Sequence, residues 1–177
     1  MKKFFTLFVL LASTVFGLQA QRYLSPVFSD VTVTTDVTYG VNATVLLLAQ
    51  AMQAVPQQLT CDIYEPTGDT ETERPLVVLL HSGNFLPPSN NGGCAGTSKD
   101  AYMVDIATRL AKMGYVAAIA NYRLGWNPID PSQTTRVYTL INAAYRGVQD
   151  ASTCIRFFRA NHATTNDFKI DPDKIVL

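Results

Sequence analysis

The sequence is short of the residues from which most metal and redox centres are built. Its 177 residues include 3 cysteines and 2 histidines. Cys61, Cys94 and Cys154 lie too far apart for a C-x-x-C pair, so neither a zinc ribbon nor a thioredoxin-type centre is supported, and no metal or cofactor is expected. Being odd in number, they allow at most one internal disulfide and leave one thiol over. An excess of charge of one sign is also missing. Lys plus Arg and Asp plus Glu each number 14, which gives no reason to expect nucleic acid or an anionic surface as a partner. Neither G-x-G-x-x-G nor G-x-x-x-x-G-K-[ST] occurs, and Gly96-Thr97-Ser98-Lys99 holds similar residues in the wrong order. A nucleotide- or phosphate-binding α/β domain therefore stands only as a rival reading.

What is present is an ordinary globular balance, 47% hydrophobic and 16% charged, in a length that suits one domain with a sizeable core. The N-terminus stands apart. Lys2 and Lys3 precede the apolar run Phe4 to Leu11, and small residues lead to Leu18-Gln19-Ala20. Positive, apolar, then small is the order of a secretory signal, with cleavage expected after Ala20. The apolar stretch is short for a bilayer that needs about 20 residues. Residues 1–20 are thus read as a signal peptide. Residues 21–177 are read as part of one exported domain, periplasmic or extracellular, with no stable membrane anchor after cleavage. Removal of Lys2 and Lys3 leaves 12 basic against 14 acidic residues. Export would expose the cysteines to an oxidising compartment. Cys61 in a strand and Cys154 in a helix read as small buried apolar side chains.

Hydrophobic spacing gives the order of elements. Val31 to Val37 alternates and predicts a half-exposed strand, as does Leu59 to Tyr64, which ends at Pro66. Val45 to Val55 suits a short helix or an inserted loop. Leu76-Val77-Val78-Leu79-Leu80 is a continuous apolar run, the signature of a strand covered on both faces. After a Gly/Pro/Asn loop from Ser82 to Gly96, Thr97 and Asp100 form a T-x-x-D helix start. Ser98 falls at that start, where capping is its simplest role. Met103, Ile106, Ala107, Leu110 and Ala111 share one helical face, and Gly114 is placed to end the helix. Tyr115 to Ala120 is the next buried strand. Asp130-Pro131 opens a long helix whose inner face is read as Val137, Leu140, Ile141, Ala144, Val148, Ala151, Ile155 and Phe158. Asp171-Pro172-Asp173 predicts a turn, and Lys174 to Leu177 another buried strand. Alternating strands and helices point to an open α/β sheet with helices on both faces.

The segment that carries chemistry is His81-Ser82-Gly83-Asn84-Phe85, directly after the first fully buried strand. Ligands of such sheets bind at the carboxyl ends of strands. A chain leaving a strand there with a glycine can aim successive backbone N–H groups at one point, and each such donor stabilises a developing oxyanion by roughly 3–4 kcal/mol.

This segment resembles the H-G-G-G-F oxyanion motif of carboxylesterases and hormone-sensitive-lipase-like esterases. Three more pieces follow in that family's order. Gly114-Tyr115-Val116 through Asn121-Tyr122-Arg123-Leu124-Gly125 resembles its GY-V…NYRLG strand. Gln149-Asp150-Ala151 through Ala160-Asn161 resembles its QDA…AIRFLRAN helix, and Ile170 to Leu177 its IDPDRIVL lead-in to the G-x-S-x-G elbow. The resemblance covers residues 58–177. It implies an α/β-hydrolase fold: a mostly parallel sheet with helices on both faces, antiparallel strands at the N-terminal side, and a C-terminal half that is missing from this sequence.

The resemblance also implies roles. The backbone N–H groups of Gly83 and Asn84 fall on the oxyanion donors, while His81, Ser82 and Phe85 complete the loop motif. The family's first and third motif glycines are Ser82 and Asn84 here. His81 is expected to hold the loop and Asp150 to be structural. His162, near a helix end, reads as a favourable end charge or a surface residue. A Cys94–His81 nucleophile pair is conceivable, but no spacing fixes it. No G-x-S-x-G occurs, and serine, acid and histidine, in that order, are expected beyond Leu177. The reading is therefore a serine ester hydrolase of small-molecule esters whose triad this chain lacks. The alternative is a catalytically inactive exported fragment.

Overall fold

The computed structural model describes residues 21–93 and 95–177, so the expected signal segment and Cys94 lie outside the described residues. Nine elements follow in order. They are β1 (Val31–Thr44), α1 (Leu48–Ala51), β2 (Val55–Pro66), β3 (Arg74–Leu80), a 3-10 turn (Pro88–Asn90), α2 (Ala101–Lys112), β4 (Val116–Ala120), α3 (Gln133–Thr164) and β5 (Ile170–Val176). They build one sheet in the order β1-β2-β4-β3-β5. β2 runs antiparallel to β1 and β4, whereas β3 is parallel to β4 and β5. This is an α/β sheet with its antiparallel pairing on the N-terminal side, as the resemblance implies.

The composition of β4 explains the layering. All five residues of Val116-Ala117-Ala118-Ile119-Ala120 are buried. Val116, Ala118 and Ala120 face one core with Ile63, Leu76, Val78, Cys154 and Phe158. Ala117 and Ile119 face the other, with Tyr64, Met103, Ala107 and Ala111. The first core lies under α3 and the second under α2, so small side chains on the central strand let helices approach from both sides. Cys61 and Cys154 are both fully buried in the first core and are free thiols. Contact with Cys154, together with burial, raises the Cys61 pKa, which disfavours the reactive thiolate there. The N-terminal segment is fastened to the far end of the sheet. Arg22 donates to both carboxylate oxygens of Asp69, at 3.0 and 2.6 Å, and the Tyr23 N–H donates to Met113 O.

Several local expectations shift. β1 runs on through Gly40 to Thr44, because it pairs with the whole of β2 across two irregularities. Residues 45–55 split into the short helix α1 and the start of β2. Asp100 rather than Thr97 occupies the cap position of α2, and its carboxylate turns back to accept from the Gly96 and Thr97 N–H groups at 2.7 and 3.3 Å. Ser98 does not cap. It is buried, its N–H donating to Asn121 Oδ1 and its hydroxyl accepting from Asn121 Nδ2. Helix α3 starts two residues after Pro131, capped by the Ser132 hydroxyl, which accepts from the Thr135 N–H. The Asp171-Pro172-Asp173 turn is absorbed into β5 as a register irregularity against β3, held by the Asp173 N–H donating to Asp171 Oδ1.

The largest correction concerns α3. Its buried residues are Ala143, Gly147, Asp150, Ala151, Cys154 and Phe158. Val137, Ile141 and Val148, read from sequence as inner, are 49%, 62% and 64% exposed. The helix has 32 residues, about 48 Å. The buried stripe, from Ala143 through Gly147, Asp150 and Cys154 to Phe158, is rotated around the helix from the expected one, so Val148 is exposed although Gly147 and Asp150 beside it are buried.

Candidate functional site

The carboxyl end of β3 delivers the chain into a tight loop. Gly83, Asn84 and Phe85 all take positive φ, at 119°, 55° and 57°. Gly83 is required there. A Cβ would come within 2.9 Å of the Gly96 Cα and of Asn91 Nδ2, in a backbone conformation that L side chains rarely adopt. Asn84 tolerates the left-handed region, but an aromatic residue there is strained by roughly 1–2 kcal/mol. The strain is held by specific bonds. The Gly125 N–H donates to Phe85 O at 2.7 Å, and Trp126 Nε1 donates to Asn84 O at 2.7 Å. Asn91 Nδ2 converges on the carbonyls of Gly83, Leu86 and Ala95.

His81 lies beneath the loop. It is buried, with its ring stacked on Tyr122 at 4.5 Å and Nδ1 2.8 Å from Ser82 O. The Tyr122 hydroxyl donates to His81 O at 2.7 Å. Burial pushes the imidazole below its usual pKa, which favours the neutral ring. These contacts fix the ring between the loop and Tyr122. Ser82 is exposed, and its N–H and hydroxyl both engage the Tyr102 hydroxyl, at 3.1 and 2.8 Å.

The carbonyl groups of the loop are engaged, but among the described residues no acceptor takes the N–H of Gly83 or of Asn84. Both residues line a cavity of about 490 Å³. Its other walls include Phe85, Tyr122, Gly147 and Val148, and Leu177 closes it from the end of β5. The site thus combines two unsatisfied backbone donors with mainly apolar surroundings, an arrangement suited to stabilising negative charge on an oxygen. Gly147 brings α3 up to the loop, its Cβ position only 3.5 Å from Phe85 Cε1.

Outside the cavity, Asp150 supports the same region. Its fully buried carboxylate accepts from the Arg123 backbone N–H at 2.9 Å and from Arg123 Nη2 at 2.8 Å. Arg123 Nε donates as well, at 2.9 Å, and Asn42 Nδ2 adds a fourth donor at 3.2 Å. The sequence marks Asp150 as structural but not its partner. Asn91, Tyr102 and Trp126 likewise carried no sequence signal. His162 lies in the last turn of α3, away from the lining of the cavity. No group of three or more His, Cys, Asp or Glu side chains among the described residues could hold a metal ion. None of the described helices is long and apolar enough to cross a membrane.

No family model matches the chain, and no curated protein matches it. Solved structures do. The chain is similar to esterases. One is a thermophilic esterase from the Planctomycetes species Thermogutta terrifontis, 19% identical, with a TM-score of 0.47 over 88% of this chain and 42% of that one. Another is the hyperthermophilic esterase from the archaeon Pyrobaculum calidifontis, 18% identical, with a TM-score of 0.46 over 92% of this chain and 37% of that one. A thermophilic carboxylesterase cloned from a metagenomic library is 15% identical, with a TM-score of 0.45, covering 89% and 38%. The chain spans less than half the length of each.

Proposed function

We propose that these residues form the oxyanion-binding part of a serine hydrolase acting on small-molecule carboxylic esters. The observation that carries this reading is the pair of unengaged N–H groups, Gly83 and Asn84, turned out by three successive positive-φ residues at the carboxyl end of β3. In acyl transfer the ester carbonyl oxygen becomes negative as a nucleophile adds, and the two N–H groups would donate to it there. His81 is a brace in this mechanism and moves no proton. The cavity lining includes Ser82, Ser152 and His81 but no Asp or Glu carboxylate, and no member of the triad is assigned to it.

Two outcomes test this. The 177-residue chain alone is expected to hydrolyse p-nitrophenyl butyrate no faster than its Ser82→Ala variant. Turnover well above that control would place the nucleophile within these residues and sink the division of roles. An open reading frame with G-x-S-x-G directly after the Leu177 codon supports the proposal, and a frame that continues without it counts against it.

Export is part of the same proposal. Protein recovered from the periplasm or medium of an expressing cell should begin at Gln21 by N-terminal mass analysis. Retention in the cytoplasm with residues 1–20 intact would refute it. The Arg22–Asp69 pair would then fasten the new N-terminus within two residues of the cut.

A further inference from the structure

A second cavity, of about 750 Å³, shares no lining residue with the first. Val45, Leu46 and Leu48 form one wall, Trp126 another, and Tyr138 and Arg146 of α3 the third. Arg146 is the only charged residue among those that line it. One arm of its guanidinium donates to the Gly125 carbonyl. Its Nε is shut away from solvent and meets no acceptor among the described residues. No carboxylate there forms an ion pair with it either, since Asp150 is engaged by Arg123. Burial, reinforced by the nearby Arg123 charge, works against its protonated form. A guanidinium nevertheless stays charged, and a half-buried cation without a carboxylate partner is costly until an anion pairs with it.

We propose that this cavity binds a small arylcarboxylate, its carboxylate on Arg146 and its ring between Trp126 and the Val45–Leu46 wall. Guanidinium and carboxylate match in geometry as well as charge. Aromatic and aliphatic walls suit an arene, which a bare anion such as chloride lacks. The site adjoins the oxyanion loop, because Trp126 Nε1 donates to Asn84 O and the Gly125 N–H donates to Phe85 O. It does not depend on the esterase reading, since none of its groups takes part in that chemistry.

Trp126 is the only tryptophan of the chain, so its fluorescence reports on this cavity directly. Phenylacetate titrated into the 177-residue chain at fixed ionic strength is expected to give a saturable change. Phenylacetamide, of the same shape without the charge, should bind at least about tenfold more weakly, the equivalent of about 1.4 kcal/mol. Arg146→Met should lose that preference, and Arg146→Lys should recover part of it. Equal affinity for acid and amide in the unaltered chain would overturn the proposal, as would the absence of saturation with phenylacetate. A preference for the acid that survives in folded Arg146→Met would also overturn it, by placing the carboxylate elsewhere.

Discussion

Replacing Asp150 by alanine is expected to destabilise the domain by about 3–5 kcal/mol, the usual cost of removing one partner from a buried ion pair. The carboxylate is fully buried on α3 and receives the Arg123 backbone N–H, Arg123 Nε and Nη2, and Asn42 Nδ2. Arg123 in turn donates Nη1 to Ala43 O at 3.0 Å and Nη2 to Gln149 Oε1 at 3.2 Å. One pair therefore ties together the end of β1, the segment after β4 and the middle of α3. Without Asp150 the guanidinium remains largely buried, with neutral acceptors only. For a domain of this size the thermal midpoint should fall by about 6–20 °C, measurable by circular dichroism or calorimetry. Joint replacement, Arg123→Met with Asp150→Leu, should cost much less than the sum of the single changes, since no stranded charge is left. A single Asp150→Ala variant that melts within about 2 °C of the parent, less than about 1 kcal/mol, would mean that water replaces the carboxylate and that the pair is not a keystone.

The same pair marks where sequence reading stops. Arg123 and Asp150 both stand in segments picked out by resemblance, yet 27 residues separate them and no local pattern links them. Their meeting is decided by how α3 crosses the sheet. The strands were more legible. Val116–Ala120 is buried on both faces, so every position is apolar and the signal is continuous, whereas the equally apolar run Leu76–Leu80 buries only Leu76 and Val78 fully and leaves Leu80 36% exposed. The buried face of α2 was readable in part: Met103, Ala107 and Ala111 repeat every four residues along it, but Ile106, expected on the same face, is 42% exposed. In α3 that logic failed over the first half. Val137, Ile141 and Val148 keep helical spacing, but they lie on the flank of the stripe that is actually buried, Ala143, Gly147, Asp150 and Cys154, and periodicity records a stripe without recording what covers it. Capping was misplaced for a related reason. Asp100 and Ser98 are good local acceptors, but the Asp100 carboxylate turns back to the preceding Gly96 N–H and Ser98 is taken by the distant Asn121 side chain. In the site, the place of the loop after β3 and its Gly83 turn could be read directly. Its fastening by Asn91, Tyr102 and Trp126 could not, because each acts from a loop or helix whose approach depends on the folded chain.

That fastening makes the loop sensitive to one added methyl group. In a protein that joins these residues to a G-x-S-x-G serine and its partners, Gly83→Ala is expected to lower kcat by about 10²–10³, the typical effect of losing one oxyanion donor. At φ 119° the new Cβ would sit 2.9 Å from the Gly96 Cα and 3.1 Å from Ala95 O, both backbone. Neither contact can be relieved by turning a side chain, so the Gly83 peptide must move and carry its N–H away from the reacting oxygen. KM should change little, because the donor acts mainly on charge that develops in the transition state. Asn84→Gly provides the contrast. It keeps the N–H and accepts φ 55° without strain, so kcat should stay within about threefold of the parent, less than about 0.7 kcal/mol in barrier. Steady-state kinetics with p-nitrophenyl butyrate, with a thermal melt to confirm folding, separates the cases. If Asn84→Gly loses as much as Gly83→Ala, the Asn84 side chain rather than its backbone contacts the substrate. If Gly83→Ala retains full kcat while folded, the loop does not hold the oxyanion, and the assignment of Gly83 falls with it.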